Sequence, residues 1–240
     1  MKRPILLIAV FSIALAAQVA HAVTPFEFKY YGNFKEIIKK KMPEGIIDLD
    51  EALAEPHTYA VGVLKNAEGE ITALDGEVWL NYGKDGINKT LNQAPKGEKA
   101  MFLVTAQVEK WQKITIPAAM SEQQLHGFVL EQARKAGLDI REPFPFLITG
   151  TFRDVVWNVM DGVESGADSG RPQLLWKKLV GYKEEAQGVL VGFYPASLHA
   201  EICHPGEHWH VHVLFKKAKV TGHVSAFSVV GGSQLELPLR

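Results

Sequence analysis

Short apolar segments separated by turn residues run through the chain from Tyr59 onward, and they commit most of it to β-sheet. Tyr59-Ala60-Val61-Gly62-Val63-Leu64, Ile71 to Leu80, Met101 to Val108 and Ile114 to Ile116 have the length and the β-branched or aromatic content of strands. Asn66, Gly69, Asp75-Gly76 and Asp85-Gly86 punctuate them with residues that accept the backbone angles of tight turns. Phe144 to Phe152, Val155 to Val159, Gly188 to Phe193, His208 to Phe215 and Val220 to Val230 continue the pattern. The polar, glycine-containing stretch from Asp161 to Pro172 reads as a boundary between two parts.

Helices are few. Phe34-Lys35-Glu36-Ile37-Ile38 suggests a short amphipathic helix stopped by Pro43, and Asp48 followed by Glu51 resembles a capping box that opens another. The convincing one starts at Ser121, with Gln124 three positions on, Leu125, Phe128, Val129 and Gln132 on one face, and Gly137 at its end. It is suited to covering a sheet.

The first 22 residues are of another kind. Lys2 and Arg3 lead into the apolar run Pro4 to Ala17, and Ala20-His21-Ala22 offers a small-x-small cleavage site, the layout of a secretory signal peptide. A hydrocarbon core about 30 Å thick needs about 20 apolar helical residues, so the run is short for a permanent membrane span. Residues 1–22 are therefore expected to be removed, leaving an exported, periplasmic or secreted chain that begins at Val23. Cys203 is the only cysteine, so an oxidising compartment brings no internal disulfide. With 26 basic against 27 acidic residues there is no overall field to attract nucleic acid or an anionic membrane, and the run Lys39-Lys40-Lys41 reads as a solvated helix face.

The chemistry concentrates in His208-Trp209-His210-Val211-His212-Val213-Leu214-Phe215 and the following Gly222-His223. Alternate side chains of a strand share a face, so His210 and His212 can converge on one ion. Lys216-Lys217-Ala218-Lys219 is polar enough to turn the chain and bring His223 back beside them. Three imidazoles with an open position is the arrangement of a catalytic zinc site. The same spacing also suits a half-buried strand whose histidines face water, and cupin-type barrels use a His-x-His strand with a later histidine, as in some isomerases and dioxygenases. His208 lies in register with this pair, and His199, Cys203 and His204 sit in the loop just before it.

Further segments narrow the choice. Glu44-Gly45-Ile46-Ile47-Asp48-Leu49-Asp50, Val61-Gly62-Val63-Leu64, Glu68-Gly69-Glu70 and Leu74-Asp75-Gly76-Glu77-Val78-Trp79 come in that order. Phe146 to Phe152 and Gly188 to Phe193 with Pro195 precede the His-x-His strand. In order and spacing these resemble the alpha-acetolactate decarboxylase family from about Gly45 to Phe227. The resemblance implies an α+β fold, predominantly β, in two β-rich halves with the metal site at or near their interface. It also implies a homodimer. Residues 23–165 would form the N-terminal half with its covering helix, and 166–240 the C-terminal half carrying the His-x-His strand.

It further implies a zinc lyase that decarboxylates 2-acetolactate, or a related 2-hydroxy-3-oxo acid, to acetoin. His210, His212 and His223 would hold the metal, which would stabilise the enediolate left by loss of carbon dioxide. Glu70 matches the family's catalytic carboxylate and would act as proton donor or base; Glu77, in the strand after the turn, would not. Three positions depart from the family pattern. Leu147 stands in place of a substrate-binding arginine, with Arg141 and Arg153 as the nearby cations; Val63 replaces a threonine near the metal; and the chain ends at Arg240, with Glu236 near its end but not aligned with the family's C-terminal glutamate. These departures leave open a second expectation, a non-catalytic exported protein that binds metal or a small ligand on the same scaffold.

Overall fold

The computed structural model of the protein describes residues 24–40, 44–168 and 171–239. The leader assigned to residues 1–22, and Pro43, lie outside the described residues. Among those described, no helix is long and apolar enough to cross a membrane.

Two antiparallel sheets of seven strands each make up the molecule. The first contains β1 (Glu27–Tyr31), β2 (Ile47–Asp48), β3 (Thr58–Leu64), β4 (Gly69–Leu74), β5 (Glu77–Tyr82), β6 (Thr90–Leu91) and β7 (Lys99–Gln107). Its order is β1-β7-β3-β4-β5-β6, with β2 pairing onto β7. The second contains β8 (Trp111–Thr115), β9 (Met120–Ser121), β10 (Phe144–Asp168), β11 (Arg171–Tyr194), β12 (His210–Phe215), β13 (Val220–Val229) and β14 (Gln234–Pro238). Four of its strands close on themselves, because β10 pairs with β11 along one edge and through Phe152–Asn158 with β13 along the other, while β12 bridges β11 and β13. The expectation of a predominantly β fold is met.

Helices are accessory. α1 (Phe34–Lys40) and α2 (Leu49–Ala52) flank the first sheet, α3 (Glu122–Lys135) covers the second, and α4 (His199–Ile202) lies in the loop before β12. α3 opens with the capping box read from the sequence, Ser121 and Gln124 satisfying each other's backbone. It ends as Gly137 takes φ 78° and Leu138 donates to the Ala133 carbonyl. Leu125, Val129 and Ala133 are buried against the second sheet; each large one is worth about 1.5–3 kcal/mol. Asp48 occupies the N-cap of α2 without capping it, its carboxylate turning to Lys99 at 3.4 Å.

The chain changes sheets at residues 108–110, and the polar stretch around residue 165 lies within one sheet. β10 and β11 run as one antiparallel hairpin whose register extends to Asp168↔Arg171. The strands pair through a segment whose sequence lacks apolar alternation, which is why it reads as a linker. Close backbone approaches fix the hairpin's shape: a Cβ on Gly181 would lie 2.3 Å from the Trp157 ring, and one on Gly222 would lie 2.5 Å from the Asn158 carbonyl oxygen.

Period-two alternation divides the cores. Phe146, Trp157, Val211, Val213 and Phe215 fill the interior of the second sheet with the covering helix. Leu147, Val191 and Phe193 point the other way and pack with Val61, Phe102 and Val104 of the first sheet. The faces that meet between the two sheets carry the histidines.

Candidate metal centre

On β12, His210 and His212 occupy the face opposite Val211 and Val213, and His223 of β13 sits directly across from His212 in the ladder. All three are buried, at 1%, 0% and 7% exposure. Each offers a nitrogen within 4.8 Å of the others'. Their ring centroids stand 5.2, 4.9 and 5.6 Å apart. The three rings predicted to share an ion thus meet in one place, between the two sheets.

Hydrogen-bond accounting fixes two of the tautomers. His210 Nδ1 lies 2.7 Å from the Ile202 carbonyl oxygen, which only accepts, so Nδ1 carries the proton and Nε2 a lone pair. Thr221 Oγ1 donates to the Val213 carbonyl at 2.8 Å. Thr72 Oγ1, 2.6 Å away, must then donate to Thr221 and accept from His212 Nδ1 at 3.0 Å. His212 therefore also presents a bare Nε2.

The two Nε2 atoms face each other at 3.3 Å. Two lone pairs at that separation repel, and a cation between them converts the contact into two bonds. Nitrogens bound 2.0–2.1 Å from a tetrahedral zinc lie roughly 3.3 Å apart, so the spacing fits. Burial pushes His210 down to about 3 and His212 well below the ordinary histidine range, with neighbouring imidazoles adding to the effect. Both are neutral at pH 7, as ligands must be. His223 turns Nε2 to Glu207 Oε1 at 3.0 Å and leaves Nδ1 buried with no hydrogen-bond partner. The donor set fits a divalent metal.

Glu70, on β4, reaches this cluster from the first sheet and is 1% exposed. The Met160 amide donates to its Oε1 at 3.1 Å, while Oε2 has no hydrogen-bond partner and lies 3.5 Å from His212 Nε2. Burial raises its pKa well above the carboxylate range, and the Met160 amide only partly opposes this. Burial disfavours the charged form of both groups, which argues against an ion pair at 3.5 Å.

The loop before β12 closes the site. Its Ile202 carbonyl orients His210, and His199 Nε2 donates to the Glu207 carbonyl at 2.6 Å. Burial opposes ionisation of Glu207, but the His223 hydrogen bond and nearby imidazoles outweigh it and hold its pKa low. Burial, then His223, pushes His204 down to about 4, and its ring packs 4.1 Å from that of Phe34. A cavity of about 450 Å³ opens onto Glu70, His204, Glu207, His210 and His223. A larger one, about 530 Å³, lies between Pro25, Glu109 and Leu239 and holds none of these groups.

Other residues weighed in the sequence fall elsewhere. Glu77 is exposed and pairs with Lys216 at 2.6 Å. Leu147 is buried in the inter-sheet core, while Arg141 and Arg153 sit on the surface, paired with Asp139 and Glu185. Glu236 accepts from Thr149 at 3.0 Å and does not line the cavity, whereas Val63 does. His208 precedes β12 and stacks on His126 of α3, 4.5 Å between centroids. Burial raises the Cys203 thiol far above its usual range, which disfavours the thiolate a soft metal would need. The sequence reading missed Thr72, Thr221 and Glu207. Thr72 carried a signal, since it lies two positions from Glu70 and so on the same strand face; Glu207, in an aperiodic loop, carried none.

A model of the alpha-acetolactate decarboxylase family matches residues 29–238. The chain belongs to the alpha-acetolactate decarboxylase family. Among solved structures, alpha-acetolactate decarboxylase from Bacillus subtilis strain 168 superimposes with a TM-score of 0.67 at 16% identity, covering 88% of this chain and 83% of that one. Acetolactate decarboxylase from Bacillus subtilis subspecies spizizenii gives 0.67 at 15% identity, over 89% and 86%. A Staphylococcus aureus protein of unknown function, similar to alpha-acetolactate decarboxylase, gives 0.65 at 15% identity, over 88% and 84%. No curated protein matches the sequence. At these identities the structures establish a shared decarboxylase-type fold, and the buried histidines and Glu70 are this family member's own observations.

Proposed function

We propose that this family member is a zinc-dependent carboxy-lyase that converts 2-acetolactate, or a related 2-hydroxy-3-oxo acid, to acetoin and carbon dioxide. The observation that carries the reading is the pair of facing Nε2 lone pairs on His210 and His212, with His223 and the buried Glu70 carboxyl beside them. A divalent metal held by the three histidines supplies Lewis-acid stabilisation of the charge that decarboxylation leaves on the substrate oxygens.

The remaining work belongs to side chains. When the bond to the carboxylate breaks, its electron pair stays on the substrate and one carbon must gain a proton. Burial disfavours the ionised form of Glu70, and its Oε2, free of other hydrogen bonds, is the atom that delivers this proton. The Met160 amide holds Oε1 and so aims the other oxygen into the cavity. Solvent entering through the cavity mouth reprotonates Glu70 after each turnover.

The protein acts after export and removal of residues 1–22, and it works as a homodimer. The first statement rests on the basic and apolar leader, the second on the family resemblance. N-terminal sequencing of the secreted chain and light scattering of the purified protein test them.

The function is tested on the mature chain by measuring bound metal and acetoin formed from racemic acetolactate. One zinc per chain with acetoin production supports the reading. A fully metallated protein that decarboxylates no 2-hydroxy-3-oxo acid overturns it.

A further inference from the structure

His204-Pro205-Gly206-Glu207 is a tight turn, and it sets two potential ligands side by side. Proline fixes the second position, Gly206 takes φ 91° at the third, and the Glu207 amide closes the turn on the His204 carbonyl at 3.2 Å. His199 Nε2 anchors the same turn through the Glu207 carbonyl at 2.6 Å. Across from it on β13 stands His223, its ring 5.1 Å from that of His204. His204, Glu207 and His223 each offer a ligand atom within 4.8 Å of the others', the same mutual reach that joins His210, His212 and His223. The inner three are buried, whereas His204 and Glu207 are half-buried on the cavity lining, so this second set lies nearer to solvent.

Each of its members has an atom to give. His204 makes no hydrogen bond among the described residues, and burial followed by His223 pushes it down to about 4, so it is neutral at pH 7 and carries a lone pair. Glu207 Oε2 is buried with no hydrogen-bond partner, although its carboxyl is held ionised. His223, 7% exposed, has Nε2 on Glu207 Oε1 at 3.0 Å and Nδ1 without a partner, so the ring has one nitrogen for each set. Ligands 2.0–2.1 Å from one tetrahedral ion lie roughly 3.3 Å apart, close to that 3.0 Å contact. Glu122 of α3 lies close enough to Glu207 and His223 to act on both. Lys178, the one lysine on the cavity lining, acts on His204 less than burial, His223 or Glu207 does.

We infer that His204, Glu207 and His223 form a second divalent-cation site, which fills after the inner one and shares His223 with it. The incoming ion takes the place of the proton between His223 Nε2 and Glu207 Oε1; that proton leaves to solvent, and the imidazole ring then links the two ions through its two nitrogens. Two nitrogens and a carboxylate oxygen, with a fourth position open to the cavity, suit zinc. The site is weaker than the inner one, because it has one imidazole fewer, stands nearer to water and must displace a proton. The inference rests on these donor atoms and not on the lyase reading.

The test uses the mature chain in solution and in crystals. Protein carrying one zinc is dialysed against zinc rising into the millimolar range, and bound metal is measured by elemental analysis. A second equivalent is expected, held more weakly than the first. Crystals soaked in the same zinc should show an anomalous-scattering peak about 2.0–2.2 Å from His204 and Glu207. Glu207→Gln keeps an acceptor for His223 and removes the charge, and His204→Ala removes a ligand. Each should weaken the second ion at least about 100-fold and leave the first in place, since even a partner behind a ligand is worth 10–100-fold.

One ion per chain at every zinc concentration overturns the second site and leaves the inner one standing. A second ion held equally by both variants, or a peak away from His204, is an adventitious surface ion and overturns it as well. A first ion kept by His212→Ala but lost from Glu207→Gln and His204→Ala overturns the inner set and the order of filling, and leaves the outer donors as the metal site.

Discussion

Valine in place of Thr72 keeps the shape of the side chain and deletes one oxygen, and that oxygen sits at the junction of the two sheets. Thr72 Oγ1 accepts the His212 Nδ1 proton at 3.0 Å and passes its own to Thr221 at 2.6 Å, whose hydroxyl ends on the Val213 carbonyl. His212 is fully buried, so the substitution strands its N–H away from water. An unpaired buried donor costs about 1–3 kcal/mol, which the metal-free variant should show as lost stability in urea. The ring also loses the bond that holds its tautomer, and losing such a partner typically weakens metal binding 10–100-fold. Competition with a chromophoric chelator at pH 7 measures that loss, and the visible spectrum of the cobalt-substituted protein reports whether the ligand geometry has changed. Thr72→Ser restores the oxygen and should restore the affinity. A valine variant that binds zinc as tightly as the parent, or a serine variant as weak as the valine one, refutes the assignment of His212 Nε2 as a ligand fixed from the first sheet.

His210→Ala and His212→Ala should each abolish stoichiometric zinc at micromolar protein concentrations, read by elemental analysis after dialysis; full metal content in either would remove the site. Glu70→Gln should retain zinc, because Gln still accepts from the Met160 amide, while lowering kcat about 10²–10⁴-fold. The metal-free protein should lose stability as pH falls below 6.5. His210 has its folded pKa depressed to about 3, so its contribution is complete above the unfolded value and drains away between them, roughly 2 kcal/mol by pH 5. His212 and His204 act in the same sense. Glu70 acts oppositely, its raised pKa giving stability that is lost as pH rises, but three histidines outweigh one carboxyl. A urea midpoint in chelator that is higher at pH 5 than at pH 7 contradicts these protonation states. Gly181→Ala should destabilise the fold by about 1–3 kcal/mol, since its Cβ would lie 2.3 Å from the Trp157 ring; unchanged thermal unfolding would show that the hairpin gives way.

What the sequence disclosed, and what it withheld, follows from the range of the forces involved. Strand alternation is local, so the β-rich fold, the capping box of α3 and the shared face of His210 and His212 were legible. The polar stretch near residue 165 reads as a boundary because backbone pairing leaves no side-chain signature, and β10 and β11 pair through it. Glu207 was invisible because its role depends on the path of an irregular loop. His208 seemed aligned with the other histidines until the chain proved not to be a strand at that point.

Leu147 and Val63 are both aliphatic, and both lie between the sheets: Leu147 in the core beside Val191 and Phe193, Val63 on the cavity wall. Buried side-chain atoms without hydrogen-bond partners, Glu70 Oε2, Glu207 Oε2 and His223 Nδ1, belong to residues that line the same cavity. The chemistry at the histidines and the apolar character of their surroundings are therefore separable features of one site, and metal content and turnover have to be measured as separate quantities.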